Sequence, residues 1–357
     1  MTALDKHIIS ADATVLDALD RLNRLSGSSM TLFVTAEDGR LAGTLTDGDV
    51  RRALLRGVSL DAPVSQAVNR NFKWLGADAP ADARVDELRR MRRGGIDMVP
   101  VVDAAGCVTE IIDLRVTNTR LPLRALLMAG GKGERLRPLT LDCPKPLLQI
   151  EGKAIIDYNV EALAACGIDD ITVATGYLAE KIYSHFEEAV AGVSVKCVRE
   201  THPLGTIGAA TMLPRKTSGA TLVMNSDLIT TISFEELYLR HCETGADITV
   251  AVIPYQVAVP FAILNFDGDR VVGLEEKPSY SYYANAGIYI INNTVLDSLA
   301  PDTRTDATDL IEATIARGGR VAHYPIKGLW IDVGSPVDFR HAAELLQHHK
   351  TLSHGRF

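Results

Sequence analysis

A chain of 357 residues, 46% hydrophobic and 23% charged, is too long for one comfortable core and too apolar for disorder, so two folded domains are expected. Its net charge of −8 argues against nucleic acid or an anionic membrane as partner, since both require basic surface. Five scattered cysteines without a C-x-x-C pair read as reduced thiols of a cytoplasmic protein, not as a disulfide frame or zinc site. The opening MTALDKHIIS lacks the apolar core of a secretion signal.

The first third carries an internal repeat. Phe33-Val-Thr-Ala-Glu-Asp-Gly39-Arg-Leu-Ala-Gly43 aligns, 67 positions later, with Pro100-Val-Val-Asp-Ala-Ala-Gly106-Cys-Val-Thr-Glu110. Each copy reads as two apolar strands around a glycine turn. Each follows a helical stripe, Val15, Leu19, Leu22 and Leu25 in one and Val85, Leu88 and Met91 in the other, at the three- and four-residue steps of one helix face. Two helix-strand-strand-helix units of this size are expected to pack as one module. The pattern breaks over Thr117–Pro122, which places domain boundaries at 1–118 and 119–357.

From Leu123 strands and helices alternate. Strands are expected over Leu123–Met128, Asp170–Thr175 and Leu222–Met224, and helices over Asp157–Cys166, Lys181–Val190 and Phe234–His241. This order predicts a mostly parallel sheet flanked by helices, with ligands beyond the carboxyl ends of the strands. Ile248–Phe266 has no charged residue, but Pro254, Gln256 and Pro260 interrupt it, so two buried strands and a turn fit better than a membrane span. Trp74 and Trp330 read as core or strand residues, and His348 and His349 as a solvated tail.

The strongest chemical signal is Ala129-Gly130-Gly131-Lys132-Gly133-Glu134-Arg135-Leu136-Arg137-Pro138-Leu139-Thr140, then Pro144-Lys145-Pro146. Glycines at a strand end let backbone N–H groups approach an anion. Arg135 and Lys145 can neutralise the phosphates of a nucleoside triphosphate. The spacing fits neither a Walker loop nor a dinucleotide fingerprint.

On these residues the segment from about Leu123 to Leu346 resembles the sugar-1-phosphate nucleotidyltransferases, whose signature is G-G-x-G-x-R-L-x-P-L-T followed by P-K-P. Pro203-Leu-Gly-Thr206, Asn225-Ser226-Asp227, Glu276-Lys277-Pro278, Asn285-Ala-Gly287 and Trp330-Ile-Asp332-Val-Gly334 follow in that family's order. The resemblance implies an α/β fold, a Rossmann-like α/β/α sandwich. It also implies attack of a sugar-1-phosphate oxygen on the α-phosphorus of an NTP, with pyrophosphate leaving. The nucleophile arrives ionised, so catalysis is positioning and charge neutralisation. Arg135, Lys145 and Asp227 are the expected catalytic residues. Gly130, Gly131, Gly133, Gly205 and Thr206 are expected on the nucleotide, and Glu276, Lys277, Asn285 and Gly287 on the sugar-phosphate. Asp227 and Asp332, with phosphate oxygens, suit Mg²⁺. Ser226 stands where many relatives have glycine.

Gly43-Thr-Leu-Thr46-Asp47-Gly48-Asp49 resembles the G-x-x-T-x-x-D segment of cystathionine-β-synthase (CBS) domains, implying a smaller α+β CBS-pair domain. It further implies an adenine nucleotide at Thr46 and Asp49, or a purely structural pair that dimerises the chain. In the second copy Glu110, Asp113 and Val116 occupy the aligned places, so one site is equipped. Fusion of such a pair to a transferase resembles a bacterial subclass of guanylyltransferases, which favours GTP over CTP, UTP or dTTP and a homo-oligomer. A catalytically inactive sensor would be expected to have lost an Arg or metal Asp, and Arg135, Lys145, Asp227 and Asp332 are all present. No hexapeptide repeat follows Asp332, so no acyltransferase β-helix is expected in this sequence.

Overall fold

The computed structural model describes residues 3–26 and 29–353, with side chains over 5–26 and 29–347; the side chains of His348 and His349 lie outside the described residues. The chain forms two compact units. One is Met1–Leu121 with Ala165–Gly167, the other Pro122–Ala164 with Ile168–Phe357.

In the first unit, α1 (Ala3–His7), β1 (Ile8–Ser10), α2 (Val15–Arg24), β2 (Thr31–Thr35), β3 (Leu41–Thr46) and α3 (Asp47–Leu55) make the first copy. The second comprises β4 (Leu75–Gly76), α4 (Ala81–Arg93), β5 (Met98–Val102) and β6 (Val108–Asp113). Their sheets run β1-β2-β3 and β4-β5-β6, each a parallel pair followed by an antiparallel one. Even the irregularity repeats. The ladder slips between Val34 and Thr35 in one copy and between Val101 and Val102 in the other. Gly39 and Gly106 both take positive φ, 80° and 89°, as the hairpin turns require. The helical stripes are the core faces. Val15, Leu22, Val85 and Leu88 are fully buried, and Leu19 packs at the edge.

The copies differ at their ends. The second has no closing helix, because its aligned segment lacks the box that starts α3. Thr46 caps α3 and exchanges hydrogen bonds with Asp49, whereas Asp113 accepts from the backbone N–H and the guanidinium of Arg115. Gly43 also differs for a packing reason. A Cβ there would lie 2.5 Å from the Asn69 carbonyl oxygen and 2.4 Å from the Val68 side chain, where residue 69 bridges to Thr44.

The second unit opens with β7 (Leu123–Ala129), the short β8 (Gln149–Ile150) and β9 (Lys153–Ala154), α5 (Ile155–Ala165), β10 (Ile171–Thr175), α6 (Ala179–His185) and β11 (Lys196–Arg199). It continues with β12 (Ala220–Asn225), β13 (Leu228–Thr230), α7 (Phe234–Thr244), β14 (Ile248–Ala258), β15 (Ile263–Asp267), β16 (Arg270–Glu275) and β17 (Ser279–Asn292). Then come α8 (Asn293–Leu296), α9 (Ala307–Ala316), β18 (Val321–Pro325), β19 (Trp330–Asp332) and α10 (Pro336–Ser353).

Seven strands form one sheet in the order β11-β10-β7-β12-β17-β14-β18. It is α/β and mixed. β17 runs antiparallel to both neighbours while the remaining pairs are parallel. Apolar residues of both faces, Leu126, Val223 and Ile291 on one and Leu127, Leu222 and Ile290 on the other, are wholly or almost wholly buried, as a sheet covered on two sides requires. Arg124 is buried inside β7 and donates to Thr221, Asn293 and the Pro214 carbonyl.

Three expectations need correction. The helix expected over Lys181–Val190 ends at His185 with Phe186 as its cap, and a tight turn closed by Val190 and Val193, with Ala191 and Gly192 at positive φ, follows it. Of Ile248–Phe266, only the stretch to Val252 is buried; beyond it β14 leaves the sheet as one strand of an arm. Trp74 is 52% exposed rather than core. Among the described residues no helix is long and apolar enough to cross a membrane.

Since the Cβ of a larger residue collides with backbone at position 43, Gly43→Ala is expected to destabilise the N-terminal unit by about 1–3 kcal/mol. Urea denaturation should show an earlier first transition and an unchanged second one.

Candidate active site

The carboxyl ends of β7 and β12 lie side by side, with Asn225 in register with Met128. From β7 the chain enters the glycine loop, and Gly133 turns it with φ 61°. A Cβ on Gly133 would come within 3.0 Å of Thr140 and 3.2 Å of the Lys145 Cβ. Thr140 is fully buried and donates to the Gly133 carbonyl, 2.8 Å. Gly131 has open space where a Cβ would point. Thus the loop packs tightly at its base and stays open at its tip, a form suited to receive an anion.

A cavity of about 430 Å³ opens here, lined by Gly131, Lys132, Gly133, Arg135, Lys145 and Asp227 among others. A one-turn helix, Lys145–Leu147, presents the Lys145 side chain. Its ammonium donates to Asp227 Oδ2 and to Asp332 Oδ1, the latter at 3.3 Å. Asp227 follows β12 directly. Asp332 ends β19, which pairs antiparallel with β13 so that Asp332 faces Leu228, the residue after Asp227. The Val333 N–H then donates to the Asp227 carbonyl, 3.1 Å. Two short strands therefore bring together carboxylates that lie far apart in sequence.

Asp227 Oδ1 is buried and has no hydrogen-bond partner. A bare carboxylate oxygen is costly unless a cation or donor meets it. Together with Asp332, that orphaned acceptor fits a hard divalent cation that keeps phosphate and water ligands. Among the described residues no group of three or more His, Cys, Asp or Glu offers a fuller cage. The Arg135 guanidinium lies against Gly334, where a Cβ would be 3.3 Å away, so the glycine after Asp332 and Val333 makes room for it. Ser226 is buried and donates its hydroxyl to the Met128 carbonyl, 2.6 Å; the hydroxyl is used within the fold.

The other expected site residues are placed differently. Gly287 (φ 69°) packs against Asn225, whose amide would lie 2.6 Å from a Cβ there, and its N–H donates to Asn285 Oδ1, 2.9 Å. Trp330 donates to the Ala286 carbonyl, 2.9 Å, tying this segment to β19. Gly205 and Thr206 hold the start of α9. The Thr206 N–H donates to Asp306, 3.0 Å, and its hydroxyl accepts from Ala307 N–H, 2.8 Å. Glu276 and Lys277 are exposed in the turn between β16 and β17, and neither lines the cavity.

Sequence reasoning missed Glu200. It follows β11, and its carboxylate lies against Gly130, within 2.9 Å of where a Cβ would sit. It accepts from the Leu204 N–H, 3.1 Å. Burial pushes its carboxyl above the usual range, against the Leu204 hydrogen bond and the nearby His202. Its signal was position, at a strand end just before Pro203-Leu-Gly-Thr206.

In the first unit, Thr46 and Asp49 satisfy each other. Thr46 Oγ1 donates to Asp49 Oδ2, 2.6 Å, and Asp49 also pairs with Arg52, 2.6 Å. Burial opposes ionisation of Asp49, but the bonds from Thr46 and Arg52 hold its carboxyl below the ordinary value. A separate cavity of about 510 Å³ is lined by Arg40, Phe72, Trp74, Asp78 and Asp103, without Thr46 or Asp49.

The nucleotidyl transferase family model matches residues 124–349, and the CBS domain model matches residues 4–56. The chain belongs to the nucleotidyl transferase family. It is 33% identical over 232 residues to a probable mannose-1-phosphate guanylyltransferase 2 of Arabidopsis thaliana, covering 61% of this chain and 63% of that protein. It is 34% identical over 225 residues to the mannose-1-phosphate guanylyltransferase catalytic subunit beta of Drosophila melanogaster, covering 60% of each. The matches thus span 60–63% of these relatives' length. Among solved structures, HddC from Yersinia pseudotuberculosis complexed with GMP-PN aligns at TM-score 0.49 and 22% identity, over 63% of this chain and 99% of that one. The CBS model covers the first copy, the one that keeps its closing helix.

If the Lys145 ammonium offsets part of the charge of the two carboxylates, Lys145→Met should lower stability by about 1–3 kcal/mol in chelator. Millimolar Mg²⁺ should restore part of that loss for the variant, read as a larger Mg²⁺-dependent rise in Tm than the wild type shows.

Proposed function

We propose that this nucleotidyl transferase moves a guanylyl group from GTP to a sugar-1-phosphate, releasing pyrophosphate. The observation that carries the reading is the Lys145 ammonium between Asp227 and Asp332 at the mouth of the glycine loop. Such an arrangement supports a polyphosphate and a cation as its ligands, and the proposed reaction needs no nucleophilic side chain. The sugar-1-phosphate oxygen attacks the α-phosphorus, the bond from that phosphorus to the bridging oxygen breaks, and the electron pair leaves on pyrophosphate. Lys145 and Arg135 neutralise charge that grows on the phosphates, and the loop glycines let the backbone approach them. Asp227 and Asp332 are the residues that would hold Mg²⁺, which when bound would offset phosphate charge. Asn285 and Gly287, with Glu276 and Lys277 from the arm, are proposed for the sugar-phosphate, and Gly205 and Thr206 for the base side.

GTP is favoured by two considerations. The relatives named above are guanylyltransferases by name, with mannose-1-phosphate as the sugar in those names. Glu200 stands beside the loop, and beyond the bond one of its oxygens accepts from the Leu204 N–H its carboxylate has acceptor capacity for the N–H groups on the N1 and N2 edge of guanine. The N-terminal unit is proposed as a regulatory module that takes an adenine nucleotide at Thr46 and Asp49. There the ligand would have to compete with the bonds these residues make to each other and to Arg52. A cytoplasmic setting is proposed as well.

Pyrophosphate release with Mg²⁺ tests the reaction, with GTP, CTP, UTP, dTTP and ATP each offered glucosamine-, mannose- and glucose-1-phosphate. Release with GTP is expected, and silence with every pair would refute the transferase reading. Arg135→Ala should cost about 2.7–4 kcal/mol of transition-state stabilisation, and Asp227→Asn should remove most Mg²⁺-dependent turnover with the fold intact by circular dichroism. Glu200→Gln should reduce the preference for GTP over UTP by roughly 10–100-fold in kcat/KM; an unchanged ratio would remove Glu200 from base recognition.

A further inference from the structure

The parallel pairing of β7 and β10 puts Thr175 opposite Ala129, so the turn after β10 runs beside the glycine loop. Gly176 is small for that reason, since a Cβ there would lie 2.8 Å from the Gly130 carbonyl oxygen. The Tyr177 N–H donates to the same carbonyl, 3.3 Å. Leu178 then takes φ 49°, in the left-handed region that a leucine rarely occupies, and caps the start of α6. From this turn the half-buried Tyr177 reaches the far limb of the loop. Its hydroxyl lies 2.8 Å from the Leu141 carbonyl oxygen and 3.2 Å from that of Thr140, one proton shared between two acceptors. In the first turn of α6, Lys181 donates to the Asp142 carbonyl. Three successive carbonyls, those of Thr140, Leu141 and Asp142, thus accept from two side chains of one short segment.

The limb so held leads directly to Lys145. It runs between two one-turn helices, Glu134–Leu136 and Lys145–Leu147. Thr140 is buried and tied to Gly133, but Leu141 and Asp142 after it are exposed, Leu141 by 50%. The carbonyl bonds do there what burial does not. Pro144 and Pro146 flank Lys145 and fix φ on either side of it, so a displacement at Leu141 or Asp142 is passed on to the ammonium that meets Asp227 and Asp332. Neither Tyr177 nor Lys181 lines the cavity. We propose that Tyr177, assisted by Lys181, is a positioning residue that fixes the limb Thr140–Asp142 and so holds Lys145 against the two carboxylates. Its consequence for turnover rests on the reaction proposed above; its hold on the limb does not.

Tyr177→Phe keeps the ring and removes only the hydroxyl. The Leu141 and Leu147 amides donate to the Pro138 and Pro144 carbonyls, and in the ligand-free full chain their hydrogen exchange should quicken roughly 5–10-fold. Amides of β7 and β10 and the far-UV circular dichroism should stay unchanged. Lys181→Met should act in the same direction. With GTP, Tyr177→Phe should lose about 10–100-fold in kcat while KM moves less than about threefold. A purely structural role would lower Tm and spare kcat. Lys145→Met supplies the test of coupling: if Tyr177 acts through Lys145, the two substitutions together cost less than their sum, in urea stability and in kcat alike. Unchanged exchange in Tyr177→Phe overturns the proposal. So does faster exchange with kcat untouched, or costs that simply add to those of Lys145→Met. A wild type silent in pyrophosphate release refutes the reaction instead, and exchange with the stability cycle still decides whether Tyr177 holds Lys145.

Discussion

The second unit is organised around one ammonium shared by two carboxylates. Lys145 reaches Asp227 across 82 positions of sequence and Asp332 across 187, so the contact exists only when three distant segments are all in place. With both carboxylates ionised the trio carries a net negative charge, and one Asp227 oxygen remains buried without a partner. A cluster of this sign, next to a loop that can bind anions, does not satisfy itself. The metal-bound nucleoside triphosphate of the proposed reaction would bring to it both a cation and phosphates. The Lys145 ammonium holds the carboxylates together in the meantime.

Much of the surrounding structure serves that contact. The parallel pairing of β7 and β12 sets the loop beside Asp227, and the β13–β19 pair sets Asp332 beside both. Gly133 and Gly334 are small for steric reasons, the first against Thr140 and Lys145 and the second against the Arg135 guanidinium. Thr140, which seemed only a signature residue, closes the loop on itself through the Gly133 carbonyl. Signature residues in this site therefore divide into those that face the cavity and those that shape the backbone bearing the former.

Local rules were enough to read the strands, the repeated hairpins and the loop, because alternation, helical stripes and glycine punctuation are short-range signals. The nearness of Lys145, Asp227 and Asp332 was legible only through the order of family motifs. Nothing within a few residues of Asp332 states that β19 will pair with β13. Glu200 went unread for the same reason, since its role depends on Gly130 lying against it. At Thr206 the fold adds what the motif did not state, since its backbone N–H and hydroxyl bond to Asp306 and Ala307 at the start of α9. The missing closing helix of the second repeat turns on one substitution pattern, Asp113 and Val116 where a capping Thr and Asp would be needed.

The stretch beyond Val252 shows why alternation alone cannot fix burial. Period-two patterning tells that Tyr255, Val257, Tyr280 and Tyr282 share a face, and the register confirms it, but a pattern carries no information about what lies opposite. In β7 and β12 the faces are closed by other parts of the same unit, so apolar strands there mean core. In the arm the same residue types meet solvent. An aromatic face on an edge ribbon is costly to leave open to water. The physical demand that made the core legible, that apolar faces find cover, is met within the unit for the seven-stranded sheet and is left unmet along the arm.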